Sequence, residues 1–220
     1  MFLTYTPKNV TVIQFDQLML AISSAIFGGG MREVDFVINY TLTERVEVEE
    51  MSTFCWHLAG SLGCDPERTI VLLTAVSQMH GAWSEDRKCF MTVGLGNAVS
   101  LFPEYIFNEQ ESLVCTPGTI NSIHIVGEAL TESALVEAYG VAKIAIADSL
   151  AKKSVGDANG HPCVATRTDC SVVFCPAYGE PPLQFAGSGT AIGQQIITST
   201  QDAFDKAFKK KYPNGLPNPA

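Results

Sequence analysis

The run Ser171-Val172-Val173-Phe174-Cys175 constrains the fold more than any other stretch. A short apolar run bounded by polar and turn residues reads as a strand buried on both faces. Such a strand needs cover, and the chain supplies it next. Gly187-Ser188-Gly189-Thr190 opens a segment, 188–211, in which Ile192, Ile196, Thr200, Ala203 and Ala207 mark one face with Phe204 and Phe208 beside it. That spacing predicts an amphipathic helix, closed by Lys206, Lys209, Lys210 and Lys211 where cations suit the helix dipole. A doubly buried strand beside a one-sided helix is the mark of an α/β or α+β protein, with helices packed on a mixed β-sheet.

The rest of the chain fits that plan. Residues 10–15 and 18–24 read as strands, with Asp16-Gln17 either a hairpin turn or a break in one long strand. Residues 33–40 form another strand, and 49–62 a helix whose Met51, Phe54, Cys55, Leu58 and Leu62 share a face up to the stop at Gly63. Strands follow at 69–76 and 89–93, separated by a turn at 80–88. The segment 102–117 is long enough for a lid, and equally readable as a disordered excursion. Residues 119–127 read as a strand. Thr131 then caps a long helix to residue 153 with Leu135, Tyr139, Ala142, Ile146 and Leu150 on its apolar face. After a Gly/Asn/Asp loop, 163–175 reads as one strand and 177–182 as a turn. The expectation is one domain over 1–212 with a flexible tail at 213–220, and with Leu135, Ile146, Ile192 and Ile196 all buried on one sheet.

Charge narrows the partners. With a formal net charge of −9 over 220 residues, the chain is not expected to bind nucleic acid through a basic surface, nor an anionic membrane. No stretch approaches the ~20 apolar residues of a spanning helix, and the first 30 residues lack a signal peptide's basic start. The seven cysteines are odd in number, lie mostly in apolar runs and contain no Cys-x-x-Cys, which predicts free buried thiols in a cytoplasmic protein and no structural metal site. Oligomeric state is left open, a homo-oligomer included.

Three features could carry chemistry. The polar cluster Thr166-Arg167-Thr168-Asp169 sits at a strand's entry, where side chains can converge on a pocket. The N–H groups at Ser188, Gly189 and Thr190 open a helix, where oxygen-rich ligands bind. Gly28, Gly29 and Gly30 allow a sharp turn or a close backbone approach to a ligand. On pattern alone, a capped turn, a capped helix and a flexible turn explain the same residues.

Taken together, several motifs resemble the adenosylcobinamide amidohydrolase family over roughly residues 10–208. They are Ser-Ser-x-x-x-Gly-Gly-Gly at 23–30, Val37-Ile38-Asn39, Thr74-Ala75, Thr92-Val93-Gly94-Leu95-Gly96-Asn97-Ala98, Gly118-Thr119-Ile120-Asn121, Thr166-Arg167-Thr168-Asp169, Ala186-Gly187-Ser188-Gly189-Thr190 and Gly193. The resemblance implies hydrolysis of the amide between aminopropanol and a corrin-ring propionate. That reaction releases cobyric acid in cobalamin salvage, with the corrinoid as substrate and no cofactor or metal of the protein's own. Val141 and Ser77 stand where the family often has acidic residues, and Ala165 where it has glycine. Those departures keep two alternatives open: a non-catalytic corrinoid-binding module, and a small-molecule amidohydrolase of altered specificity.

Amide hydrolysis requires an activated nucleophile, oxyanion stabilisation and a proton for the leaving amine. Asp169 is the expected general base or orienting group, against the plainer role of a turn cap. Thr168 and Thr166 are candidate nucleophilic or substrate-binding hydroxyls, and Lys143 is a candidate oxyanion or carboxylate partner. Buried threonines satisfying backbone groups and a snorkelling surface lysine are the plainer readings. Asn97, Thr119 and Asn121 complete the expected substrate-binding set with Gly28, Gly29, Gly30, Ser188, Gly189 and Thr190. All are expected to meet in one concave pocket.

Overall fold

Among its described residues, the computed structural model has ten strands and three α-helices. It describes residues 2–5, 9–43, 48–101, 119–157, 159–179 and 181–216. The first half holds β1 (Phe2–Tyr5), β2 (Val10–Ser23), β3 (Gly30–Thr41), α1 (Val48–Ser61), β4 (Thr69–Thr74), β5 (Ala82–Trp83), β6 (Cys89–Val93) and β7 (Ala98–Ser100). The second holds β8 (Ile120–Ile125), α2 (Glu132–Lys152), β9 (Cys163–Thr166), β10 (Cys170–Pro176) and α3 (Ala191–Lys211).

The main sheet has eight strands in the order β4-β3-β2-β10-β8-β6-β5, with β1 also on β2. Its parallel pairs are β3–β4 and β8–β10. A helix bridges each of them, α1 in the first and α2 in the second, as parallel neighbours require a long crossover. The remaining pairings are antiparallel, so the sheet is mixed, as expected. A small second sheet joins β7 to β9.

Side-chain alternation sorts the core into two faces. On one face α1 lays Cys55 and Ala59 against Val12, Ile38 and Val71, while α2 and α3 cover Val173, Cys175, Met91 and Ile120. Leu135, Ile146, Ile192 and Ile196 are all buried there, as the helical spacing requires. The other face carries Ile13, Phe15, Val37, Ile70, Leu72, Phe90, Ile123 and Phe174 in one cluster. No helix covers this face among the described residues. Instead the sheet curls over it: the Asn121 side chain on β8 reaches the Leu73 carbonyl on β4 at 3.0 Å, although β3, β2 and β10 lie between them in the sheet.

Two elements differ from the sequence reading. Residues 163–175 do not form one strand: a turn at 167–169 separates β9 from β10. The Arg167 N–H donates to the Asn97 carbonyl there and the Asp169 N–H to the Thr166 carbonyl. That backbone turn, with the Thr166 hydroxyl bonded to Asp169 Oδ1 across it, breaks a ladder that the apolar pattern alone would continue. Of the two readings of Asp16-Gln17, the break in one long strand holds: β2 runs through it with a register shift between Gln14 and Met19. The turn expected at 80–88 contains the short strand β5. The segment 102–117 and the end of the tail, 217–220, lie outside the described residues.

Candidate functional site

Five stretches distant in sequence meet at the amino ends of β8 and β10. Thr119 precedes β8, the 166–169 turn precedes β10, Asn97 precedes β7, and Lys143 reaches over from α2. The antiparallel pairing of β10 with β2 brings Ser24 to the same end, where its N–H donates to the Ser171 carbonyl at 3.1 Å.

Asp169 is the centre of this cluster. Its side chain is only 5% exposed. Oδ1 accepts the Thr166 hydroxyl in a short hydrogen bond and the Ile120 backbone N–H at 3.2 Å. Oδ2 has no hydrogen-bond donor among the described residues; the nearest cation is the Lys143 ammonium at 3.6 Å. A buried carboxylate oxygen without a donor is costly unless a ligand or water completes it. Beside it, the Thr119 and Thr168 hydroxyls lie 2.6 Å apart, and Asn97 Nδ2 donates to Thr168 Oγ1 at 3.2 Å. Asn97 Oδ1, also buried, has no donor among the described residues. The arrangement therefore offers hydroxyls that can donate or accept, acceptors in want of donors, and one ammonium that is 32% exposed.

Asn97, Thr119, Lys143, Thr166, Thr168 and Asp169 are thus brought together, and the other expected site residues are placed elsewhere. Asn121 faces the opposite side of β8 from Ile120, because neighbouring strand residues alternate. Its Nδ2 donates to Asn39 Oδ1 at 2.7 Å, inside a buried network with Gln78, Thr92, Thr11 and Thr41. The Ser188, Gly189 and Thr190 turn stands at the start of α3, beside Glu137 in the first half of α2. Leu183 pairs with Leu130 there, toward the carboxyl ends of β8 and β10, and no hydrogen bond or ion pair joins the turn to Asp169 among the described residues. Thr190 caps α3 with its own hydroxyl: Oγ1 accepts the Gly193 N–H at 3.0 Å. Gly28 and Gly29 pack against backbone; an added Cβ would lie 2.4 Å from the Thr69 carbonyl oxygen and 2.2 Å from that of Ala25. Gly30 faces open space.

Sequence reasoning assigned no role to Gln78 or to Thr11, Thr41 and Thr92. The available signal was polar residues at inward positions of apolar strands, Thr11 in β2, Asn39 in β3 and Thr92 in β6, which buried hydrogen bonding must satisfy. It also missed His124, fully enclosed on β8 with Nδ1 3.4 Å from Thr200 Oγ1. Burial, and secondarily the Lys143 charge, pushes its pKa down to about 3, so His124 is a neutral core residue at physiological pH. The six described cysteines are free and buried, with Cys55 and Cys170 pushed up to about 12 by desolvation; Cys115 lies outside the described residues. Among the described residues no three His, Cys, Asp or Glu side chains gather as metal ligands, and no helix is long and apolar enough to cross a membrane.

The order of the motifs that build this cluster matches a known family model, adenosylcobinamide amidohydrolase, over residues 2–215. The chain belongs to that family. A search of the curated proteins finds no match. Among solved structures, the PH0078 protein from Pyrococcus horikoshii OT3 aligns with a TM-score of 0.40 at 13% identity, over 96% of this chain and 78% of that one. Val141 is 6% exposed within the apolar layer between α2 and the sheet, and adds no polar group to the Asp169 cluster.

Proposed function

We propose that this protein hydrolyses the aminopropanol amide of adenosylcobinamide to cobyric acid, with the Asp169 cluster as its reaction centre. The observation that carries the reading is Asp169 Oδ2: a buried carboxylate oxygen with no donor among the described residues, 3.6 Å from one ammonium. Such an oxygen can hold and deprotonate a water, as general-base chemistry needs.

A water oxygen bonds to the amide carbon while its proton passes to Asp169. The Lys143 ammonium faces the oxyanion that forms. The C–N bond then breaks, and the proton held by Asp169 goes to the leaving nitrogen, which departs as aminopropanol. The Thr119–Thr168 hydroxyl pair and Asn97 Oδ1 are suited to holding the amide N–H and carbonyl in place, since a hydroxyl both donates and accepts. Thr166, bonded to Oδ1, orients the carboxylate.

The test is incubation of the purified protein with adenosylcobinamide and chromatography for cobyric acid. Release of cobyric acid is expected. Tight binding without turnover would replace the enzyme with a corrinoid-binding module.

A further inference from the structure

At the opposite, carboxyl ends of β8 and β10 lies a cavity of about 390 Å³. Its apolar wall is the concave core: Phe15, Met19 and Ile125, with Phe2 at the edge. Its polar wall is Arg87 and Lys88, from the turn after β5, and Gln17. Gln17 lies where β2 slips register, and its amide has only a weak contact to Met19 Sδ at 3.8 Å.

Two cations thus line one cavity in a chain of net charge −9. Neither pairs with a carboxylate among the described residues; the ion pairs of those residues use Arg68, Lys143, Lys152, Lys153, His161 and Lys206 instead. Asp86, which also lines the cavity, is engaged by its own turn: Oδ1 accepts the Ser84 hydroxyl at 2.6 Å and the Lys88 N–H at 3.1 Å. The guanidinium of Arg87 lies over two rings, its Cζ 5.1 Å from the Trp83 ring centroid and 5.8 Å from that of Phe2. No hydrogen bond or ion pair engages its N–H donors among the described residues, so they are available to a planar anion. Arg87 also holds a left-handed backbone, φ 56°, a region that L-residues with a side chain seldom adopt. Gly127 leaves room for Lys88: a Cβ there would stand 3.0 Å from Nζ.

We propose that this cavity binds a small organic anion, with an apolar ring or short chain against Phe15, Met19 and Ile125 and a carboxylate or phosphate against Arg87 and Lys88. A cavity near the lower end of the usual 300–1,000 Å³ for small-molecule pockets suits a single ring rather than a large cofactor. Anions are repelled by the chain's overall charge, so affinity for one must come from a local, paired set of cations such as this. Open α/β sheets also tend to bind ligands outside the carboxyl ends of their parallel strands, which is where this cavity lies.

Ligand-observed NMR titration of the whole chain tests the site, with benzoate, phenyl phosphate, benzyl alcohol and inorganic phosphate as probes. The aromatic anions are expected to bind, with benzyl alcohol and inorganic phosphate at least about tenfold weaker. Whichever aromatic anion binds more tightly identifies the head group. Arg87→Gln and Lys88→Gln should each weaken it about tenfold. Should Arg87→Gln disturb the turn, Lys88→Gln carries the test, its thermal melting checked against the parent. Equal binding of benzyl alcohol and benzoate, no binding of either anion at millimolar concentration, or unchanged affinity in Lys88→Gln overturns the proposal.

Discussion

The amino and carboxyl ends of the β8–β10 pair hold opposite chemistries. At the amino end, Asp169, Asn97 and three threonines form a small, part-buried, acceptor-rich cluster facing one ammonium. At the carboxyl end, Arg87 and Lys88 face a cavity walled by Phe15, Met19 and Ile125. The same strands serve both, so the difference comes from what the chain does on entering and leaving them. It enters β10 through a turn whose polar side chains bond one another, which draws Asp169 under cover. At the other end β2 slips register and the β5–β6 turn carries its cations outward, leaving space rather than contact. A tight polar cluster is suited to moving protons, and an open cationic cavity is suited to holding an anion.

The largest expected effect breaks the comparison at the amino end. Asp169→Asn keeps the side chain's size and one acceptor but loses the basic oxygen beside Lys143. Turnover on adenosylcobinamide should fall on the order of 10²-fold or more while corrinoid binding changes little. Near-normal kcat in that variant would leave the cluster a capped turn. Benzoate binding at the far end should be untouched.

A smaller effect separates stability from chemistry on the strand between the two ends. His124 is neutral in the folded protein down to about pH 3, whereas unfolding restores an ordinary value near 6.5. Between those values the unfolded state binds the extra proton, so stability falls as pH falls, by about 1.4 kcal/mol per pH unit from this residue. Above pH 6.5 the residue is neutral in both states and contributes no pH dependence. Urea denaturation of the parent and of His124→Asn from pH 7 to pH 4 checks this, the variant showing the shallower slope. Equal slopes would mean that His124 is not enclosed as described.

How far these features were legible in the sequence depended on whether they were local. The helices were, because Leu135, Ile146, Ile192 and Ile196 recur at helical spacing and one helix has one face to bury. The mixed sheet followed from strands separated by helices. Asp169, Thr166 and Thr168 stood out as a polar cluster before an apolar run, yet the partners that give Asp169 its character, Ile120 and Lys143, come from elsewhere in the chain. Asn121 was placed with them by its position beside a Gly-containing turn, although strand alternation sends it to the opposite face. The glycines at 28 and 29 suggested a ligand's approach, but what approaches them is the chain's own backbone. The cavity left no local trace. It exists because β2 slips register opposite a turn some 70 residues later, a juxtaposition set by the sheet's pairing rather than by any motif.

The smallest expected effect is the one that best sharpens the comparison. Lys88 lies at the carboxyl end of β8, and the length of β8, six residues at ~3.3 Å each, separates it from Thr119. At that distance, about two Debye lengths in physiological salt, one partly exposed charge is largely screened from Asp169. Lys88→Gln should therefore leave kcat and KM for adenosylcobinamide within about twofold while lowering benzoate affinity about tenfold. Asp169→Asn should give the mirror result, lost turnover with benzoate affinity intact. The crossed pair of measurements matters more than either alone. A general loss of folding would lower both activities in both variants, whereas two independent sites lower one activity in each. If Lys88→Gln lowers kcat as much as it lowers benzoate affinity, the two ends are coupled, and the cavity belongs to the reaction centre.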